Sequence, residues 1–320
     1  MNAQPVITLL AGGVGGAKAA LGLALGPHAE RTRIIGNIAD DEAFHGLWVS
    51  PDIDTLTYTL ARRIHPQQGW GLTGDSAQVL NALNTLGADT WMWLGDMDFA
   101  THIYRTEQRS NGIRPSAIAA HIAEKNGVKQ PIILPTDDVV QTRLTTDQGE
   151  LSFQEYFVRE RCAPEIHHIE FHGADKATAT PEALAAIHSA DLIVLAPSNP
   201  IVSIGAILAI PGIRDAIRSA RAKCIAISPF IGGKTVKGPA DKMLEALGLN
   251  TSPVAIAELY ADILDGLMID HADHDWRPLL EDRDLPVLVT HTLMNNDADK
   301  TRLMNETVAF YQQLQQEVCE

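Results

Sequence analysis

Short apolar runs alternate with amphipathic stretches along most of this chain. Val6-Ile-Thr-Leu-Leu10, Arg33–Ile38, Asp191–Ala196, Cys224–Ser228, Gly266–Asp270 and Pro286–Thr290 are dominated by aliphatic residues, many of them β-branched. Continuous runs of this kind predict strands buried on both faces. Helix-like segments fall between them. Ala19–Leu25 follows the first run, and Ser50-Pro51 reads as an N-cap with proline at the first helical position, opening a helix through Arg62. Asp75 opens a helix that Gly87 stops, and Phe99–Arg109 and Ser116–Lys125 have amphipathic spacing. Trp91–Leu94 reads as a further short strand. The alternation predicts an α/β protein with a parallel sheet covered by helices on both faces.

The rhythm changes in the middle. Pro131–Pro135, Gln141–Thr146, Leu151–Arg159 and Ile166–Phe171 all read as β, and Asp147-Gln-Gly149 suits a hairpin turn. The expectation is a single domain over residues 1–320 with a small antiparallel β insertion at about 130–175.

Composition adds little and charge adds more. A hydrophobic share of 45% over 320 residues allows a large core. The formal net charge of −15 disfavours nucleic acid as a partner, because a phosphate backbone asks for a basic face. Cys162, Cys224 and Cys319 are far apart and make no CxxC pair, which suggests reduced thiols in a cytoplasmic protein. The first apolar run has no basic lead and meets glycines at once, unlike a signal peptide. No run approaches the roughly 20 apolar residues that span a bilayer, so no membrane partner is expected.

In an open α/β sheet, ligands lie beyond the carboxyl ends of the strands. Four segments carry candidate chemistry at that edge. In Ala11-Gly-Gly-Val-Gly-Gly-Ala-Lys18, Gly12, Gly13 and Gly15 let an anion approach the backbone, N–H groups at a helix start point at it, and Lys18 follows. The dinucleotide fingerprint fails, since Lys18 stands where its third glycine belongs; so does the Walker A loop, which needs Ser or Thr after its lysine. A phosphate-binding loop of another kind remains, beside a plain tight turn. The second segment holds Asp40 and Asp41 after a strand, with Asp52 and Asp54 in a helix first turn. Such carboxylates suit Mg²⁺ with substrate phosphate; a solvated loop and helix-dipole stabilisation are the alternatives. Third, Pro197, Ser198, Asn199, Ser203 and Gly205 offer groups for a phosphate or base edge, or simple turn chemistry with Ser203 as an N-cap. Fourth, Lys234 and Lys237 flank paired glycines, as a diphosphate would require or as a surface loop would allow. His45, His102 and His291 have no partner in the sequence, and none is assigned as a nucleophile.

Taken in order, Ala11–Lys18, Asn37–Glu42, His45–Thr55, Leu94-Gly-Asp96, Asp98 with Ala100-Thr-His102, Phe153-Gln-Glu155, Ala196–Pro200, Val202–Gly205 and Lys237–Ala240 resemble the 2-phospho-L-lactate transferase (CofD-like) family. The resemblance runs from about residue 6 to 294. It implies a Rossmann-like core, a homodimer, Mg²⁺ and a role in making the deazaflavin coenzyme F420. It further implies transfer of a phosphorylated three-carbon acid from its guanosine diphosphate conjugate to the ribityl hydroxyl of the deazaflavin Fo, releasing GMP. The acid would be phospholactate, phosphoenolpyruvate or 3-phosphoglycerate. Gly12–Lys18 and Pro197–Gly205 would hold the guanosine diphosphate part, Asp54 would sit at the Fo hydroxyl and metal, and Asp40 and Asp41 would support the metal. Asp54 or Asp41 would orient or deprotonate the hydroxyl. Met97 stands where the family usually has arginine, and Trp93 where it often has a basic residue. Two other readings keep the same scaffold: a nicotinamide or nucleotide-sugar enzyme with Asp40 on a ribose, and a nucleotide-binding regulator without catalysis.

Overall fold

The computed structural model describes residues 4–236 and 238–317. Seven parallel strands form one sheet: β1 (Ile7–Ala11), β2 (Thr32–Gly36), β3 (Ile132–Ile133), β4 (Leu192–Leu195), β5 (Lys223–Ile227), β6 (Gly266–Asp270) and β7 (Val287–Thr290). Their spatial order is β3-β2-β1-β4-β5-β6-β7, every neighbouring pair parallel. The chain winds outward from β1 in one direction and returns to its other side with β4, so the switch point lies between these two strands. This is the expected α/β, Rossmann-like arrangement.

Both faces of the sheet are dry. Ile7, Leu9 and Leu10 are fully buried, as is every residue of β4. Thr8, the one polar residue of β1, donates its hydroxyl to the carbonyl of Ala186 at 2.8 Å, on the helix Pro181–His188. The long helix α1 (Gly13–Leu25) packs against α2 (Pro51–Leu60) and the C-terminal helix Asp297–Glu317. The antiparallel sheet is three-stranded, with Gln141–Thr146 central between Gly149–Ser152 and Ile166–His172. Among the described residues no single helix is long and apolar enough to cross a membrane.

Four local expectations are corrected. Ile132–Ile133 joins the parallel sheet as its edge strand rather than the antiparallel one. Leu151–Arg159 is not one strand, because after Ser152 the chain enters a wide π-helical turn, Glu155–Arg159. A reciprocal box stops the strand: the Ser152 hydroxyl accepts from Glu155 N at 3.1 Å, and the Glu155 carboxylate accepts from Ser152 N at 2.8 Å. Trp91–Leu94 forms no ladder; its side chains pack on a second apolar cluster with Phe44, Val49, Leu80 and Phe99. Finally, α1 begins at Gly13, so the glycines build its first turn instead of a loop before it.

That second cluster is held by exchanged caps. Asp75 does not cap its own helix, α3 (Gln78–Thr85); it accepts from Met97 N at 2.9 Å and Asp98 N at 3.3 Å, at the start of α4 (Asp96–Ser110). Asp96 returns the contact, accepting from Val79 N at 2.9 Å and Gln78 N at 3.2 Å. A helix start leaves such donors unpaired, and each aspartate satisfies the other helix. The exchange fixes where α4 begins, and α4 carries part of the site. Asp75→Ala is expected to lower stability in urea unfolding by about 1 kcal/mol. It should also speed hydrogen exchange at the Met97 and Asp98 amides; unchanged exchange there would remove the capping role.

Candidate active site

A cleft of about 340 Å³ opens at the carboxyl ends of β1 and β4. One wall is the start of α1, the second the segment after β4, and the third α2 with α4 (Asp96–Ser110).

The first two walls are in backbone contact. The Ser198 hydroxyl donates to the Gly12 carbonyl at 2.8 Å and accepts from Gly12 N at 3.2 Å. A Cβ on Gly15 would lie 2.1 Å from the Pro197 carbonyl oxygen, and one on Gly12 would lie 2.6 Å from an Asp52 oxygen. No side chain fits at either place, which is why the sequence has glycines there. Asn199 caps the helical segment that follows it, accepting from Ile201 N at 2.9 Å and Val202 N at 3.2 Å. The expected cap, Ser203, instead lies inside that segment and faces the cleft. Lys18 lines the cleft and donates to the Met294 carbonyl at 2.8 Å.

Carboxylates make up the floor. Asp40, Asp52 and Asp54 are buried and line the cleft. The Asn37 amide donates to both members of the first pair, at 3.3 Å to Asp40 and 2.9 Å to Asp52. Burial, and then the charge of Asp52, push the Asp40 carboxyl well above the ordinary carboxylate range. Burial lifts Asp52 to about 6 against the Asn37 and Gly13 donors. A neutral amide between two buried like charges leaves them uncompensated. A divalent cation with one or two carboxylates and ligand phosphate oxygens would compensate them, so this pair has suitable chemistry for Mg²⁺.

Asp54 and Asp41 are placed differently from one another. Asp54 forms a two-point ion pair with the buried Arg105, Nη1 to Oδ2 at 3.0 Å and Nη2 to Oδ1. Asp41 does not line the cleft; it turns inward to the Ser50 hydroxyl at 2.6 Å and the Trp48 indole N–H at 3.2 Å, and burial lifts it to about 7. The Ser50 hydroxyl therefore serves Asp41 rather than capping α2. Gly205 and Lys234 also lie off the cleft wall, with Lys234 exposed on the hairpin of Phe230–Ile231 and Lys234–Thr235. Lys237 lies outside the described residues.

The residues missed in the sequence sit on α4. Its buried stripe is Asp98, Phe99, His102 and Arg105, while its Ile103 is exposed. Asp98 and His102 stand in the motifs that carry the family resemblance but were given no role, because burial of charge beside an exposed isoleucine shows only in the folded helix. Burial and the nearby Asp54 lift Asp98 to about 6. Burial lowers His102 to about 4. Apolar side chains also line the cleft, among them Trp70, Met92, Trp93, Phe153 and Phe157. Phe153 and Phe157 stack at 5.5 Å, and Trp70 meets Trp93 edge-on at 5.6 Å.

A family model described as 2-phospho-L-lactate transferase CofD matches residues 7–310. The chain belongs to the CofD family. This CofD-family chain is 40% identical over 310 residues to the phosphoenolpyruvate transferase of Kitasatospora aureofaciens, covering 93% of this chain and 96% of that one. It is 38% identical over 309 residues to the phosphoenolpyruvate transferase of Mycobacterium tuberculosis, 89% of this chain and 93% of that one. It is thus a transferase. A crystal structure of protein BH3568 from Bacillus halodurans shares the CofD-family chain's fold at a TM-score of 0.64 and 15% identity, covering 96% of this chain and 100% of that one.

Two outcomes follow from this geometry. Gly15→Ala is expected to separate α1 from the segment after β4, costing about 1–3 kcal/mol as overpacking does. Calorimetry would read it, and a wild-type melting profile would contradict the contact. The acids set a pH dependence. Asp40, Asp41, Asp52 and Asp98 hold protons more tightly folded than unfolded, so their contribution is complete below 3.8 and is lost as pH rises towards about 7. His28 and His102, both lowered from 6.5, work in the opposite sense, two groups against four. In a chelating buffer the melting midpoint should fall from about pH 5 to about pH 7, and Mg²⁺ should reduce that fall. A midpoint that rises across this window, or ignores Mg²⁺, contradicts the account.

Proposed function

We propose that this transferase moves the phosphoenolpyruvate or phospholactate moiety from a guanosine diphosphate conjugate to the terminal ribityl hydroxyl of the deazaflavin Fo, releasing GMP, in coenzyme F420 biosynthesis. The family and the names of its phosphoenolpyruvate transferase relatives support the group transferred. One observation carries the rest: a single cleft is lined by a glycine turn, paired buried carboxylates and aromatic rings. Backbone N–H groups at a helix start suit a diphosphate. Trp70, Trp93 and Phe157 suit a flat ring.

In the reaction the hydroxyl oxygen bonds to the phosphorus that carries the acid, the bond from that phosphorus to GMP breaks, and the hydroxyl proton passes to a carboxylate. Asp40 and Asp52 would hold Mg²⁺, which when bound neutralises charge on the diphosphate and on the departing GMP. The start of α1 and Lys18 line the same cleft and would flank that diphosphate. Of the carboxylates, Asp98 is best placed to take the proton: it lines the cleft, forms no ion pair with a cationic side chain among the described residues, and is lifted to about 6 by burial and the nearby Asp54. Asp54, paired to Arg105, sets the position of α4 against α2.

The test is GMP release with Fo, Mg²⁺ and the guanylylated conjugate. Asp98→Asn should cut turnover by roughly two powers of ten. Because it removes a buried charge, the variant should melt no lower than wild type at neutral pH. Near-normal turnover would take the base role from Asp98, and no GMP from any of the three-carbon donors would sink the assignment.

A further inference from the structure

We propose that His102 is a fixed hydrogen-bond donor of the site, presenting its Nε2–H to the oxygen of the acceptor hydroxyl. The inference rests on the transferase reading above and adds a residue to it. His102 lines the cleft, is only 2% exposed, and its Nε2 has no hydrogen-bond partner among the described residues. Its other nitrogen settles which proton it carries. Nδ1 lies 3.2 Å from Arg105 Nη1, a group that can only donate, so Nδ1 accepts. Asp54 Oδ2, the nearby carboxylate oxygen, is 3.8 Å from Nδ1, beyond hydrogen-bond reach. The neutral ring therefore keeps its hydrogen on Nε2, and burial keeps the ring neutral.

A buried N–H without a partner is costly, and an oxygen of a bound ligand relieves that cost. His102 sits four residues after Asp98 on the same helix, and both line the cleft. A hydroxyl between them accepts from His102 through its lone pair and turns its own hydrogen towards the Asp98 carboxylate. His102 orients the nucleophile; it does not take the proton.

Paired substitutions separate this role from support of Arg105. In His102→Asn the amide oxygen replaces Nδ1 and keeps the Arg105 contact, but no donor reaches the cleft. In His102→Gln the amide N–H replaces Nε2–H, and the Arg105 contact is lost. GMP release per Fo should fall roughly tenfold or more in His102→Asn, and His102→Gln should recover the larger part of it. The reverse order, or equal activities, overturns the proposal. Nitrogen chemical shifts of the His102 ring in the wild-type enzyme without substrates read the tautomer directly. An Nε2–H form supports the assignment, and an Nδ1–H or doubly protonated form at neutral pH overturns it. If wild type releases no GMP with Fo, the transferase reading falls, and calorimetric Fo binding to wild type and both variants decides the donor: weaker in His102→Asn alone supports it, unchanged binding overturns it.

Discussion

The structure depends on the contact between two turns at the sheet's switch point. The Pro197 carbonyl lies where a Gly15 side chain would begin, and Ser198 holds the Gly12 peptide by both its polar groups. This closeness has two effects. It brings the N-terminal amides of α1 beside the segment after β4, so that groups nearly two hundred residues apart line one cleft. It also leaves no room for a side chain there, so ligand charge can approach the backbone.

Around this contact the protein collects more negative charge than positive. Asp40, Asp52, Asp54 and Asp98 all line the cleft, and each lies buried. Arg105 compensates one of them, Asp54. Burial raises the proton affinity of the remainder, helped at Asp40 by the charge of Asp52 and at Asp98 by that of Asp54, an arrangement that disfavours the fully charged site and favours a cation or the uptake of protons. A carboxylate that titrates close to neutrality is a poor structural element and a good proton acceptor. The global charge of −15 does not by itself exclude an anionic ligand, since local groups can oppose the sign of the whole chain.

Strand-to-strand alternation and the glycine turn were legible in the chain because each depends on neighbours in sequence. Aliphatic runs mark strands buried on both sides, and Gly12 and Gly15 mark a close approach before its partner is known. Mistakes arose where side chains answer to distant partners. Ser50 and Asp75 look like caps for the helices they precede, yet serve Asp41 and α4. Leu151–Arg159 alternates like a strand, but a serine–glutamate box curls it. Lys234, attractive beside paired glycines, lies off the cleft because its hairpin turns it outward.

The sequence by itself determined the α/β class, the place of the glycine turn and the pool of acids near it, since local spacing and composition suffice for these. Only the tertiary structure decided which acids share the cleft, that Asp41 faces inward while Asp98 and His102 line the cleft, and that His102 Nδ1 lies against Arg105. The reason is that proton affinity and hydrogen-bond direction follow from burial and from partners on other elements, and neither is encoded by spacing along the chain.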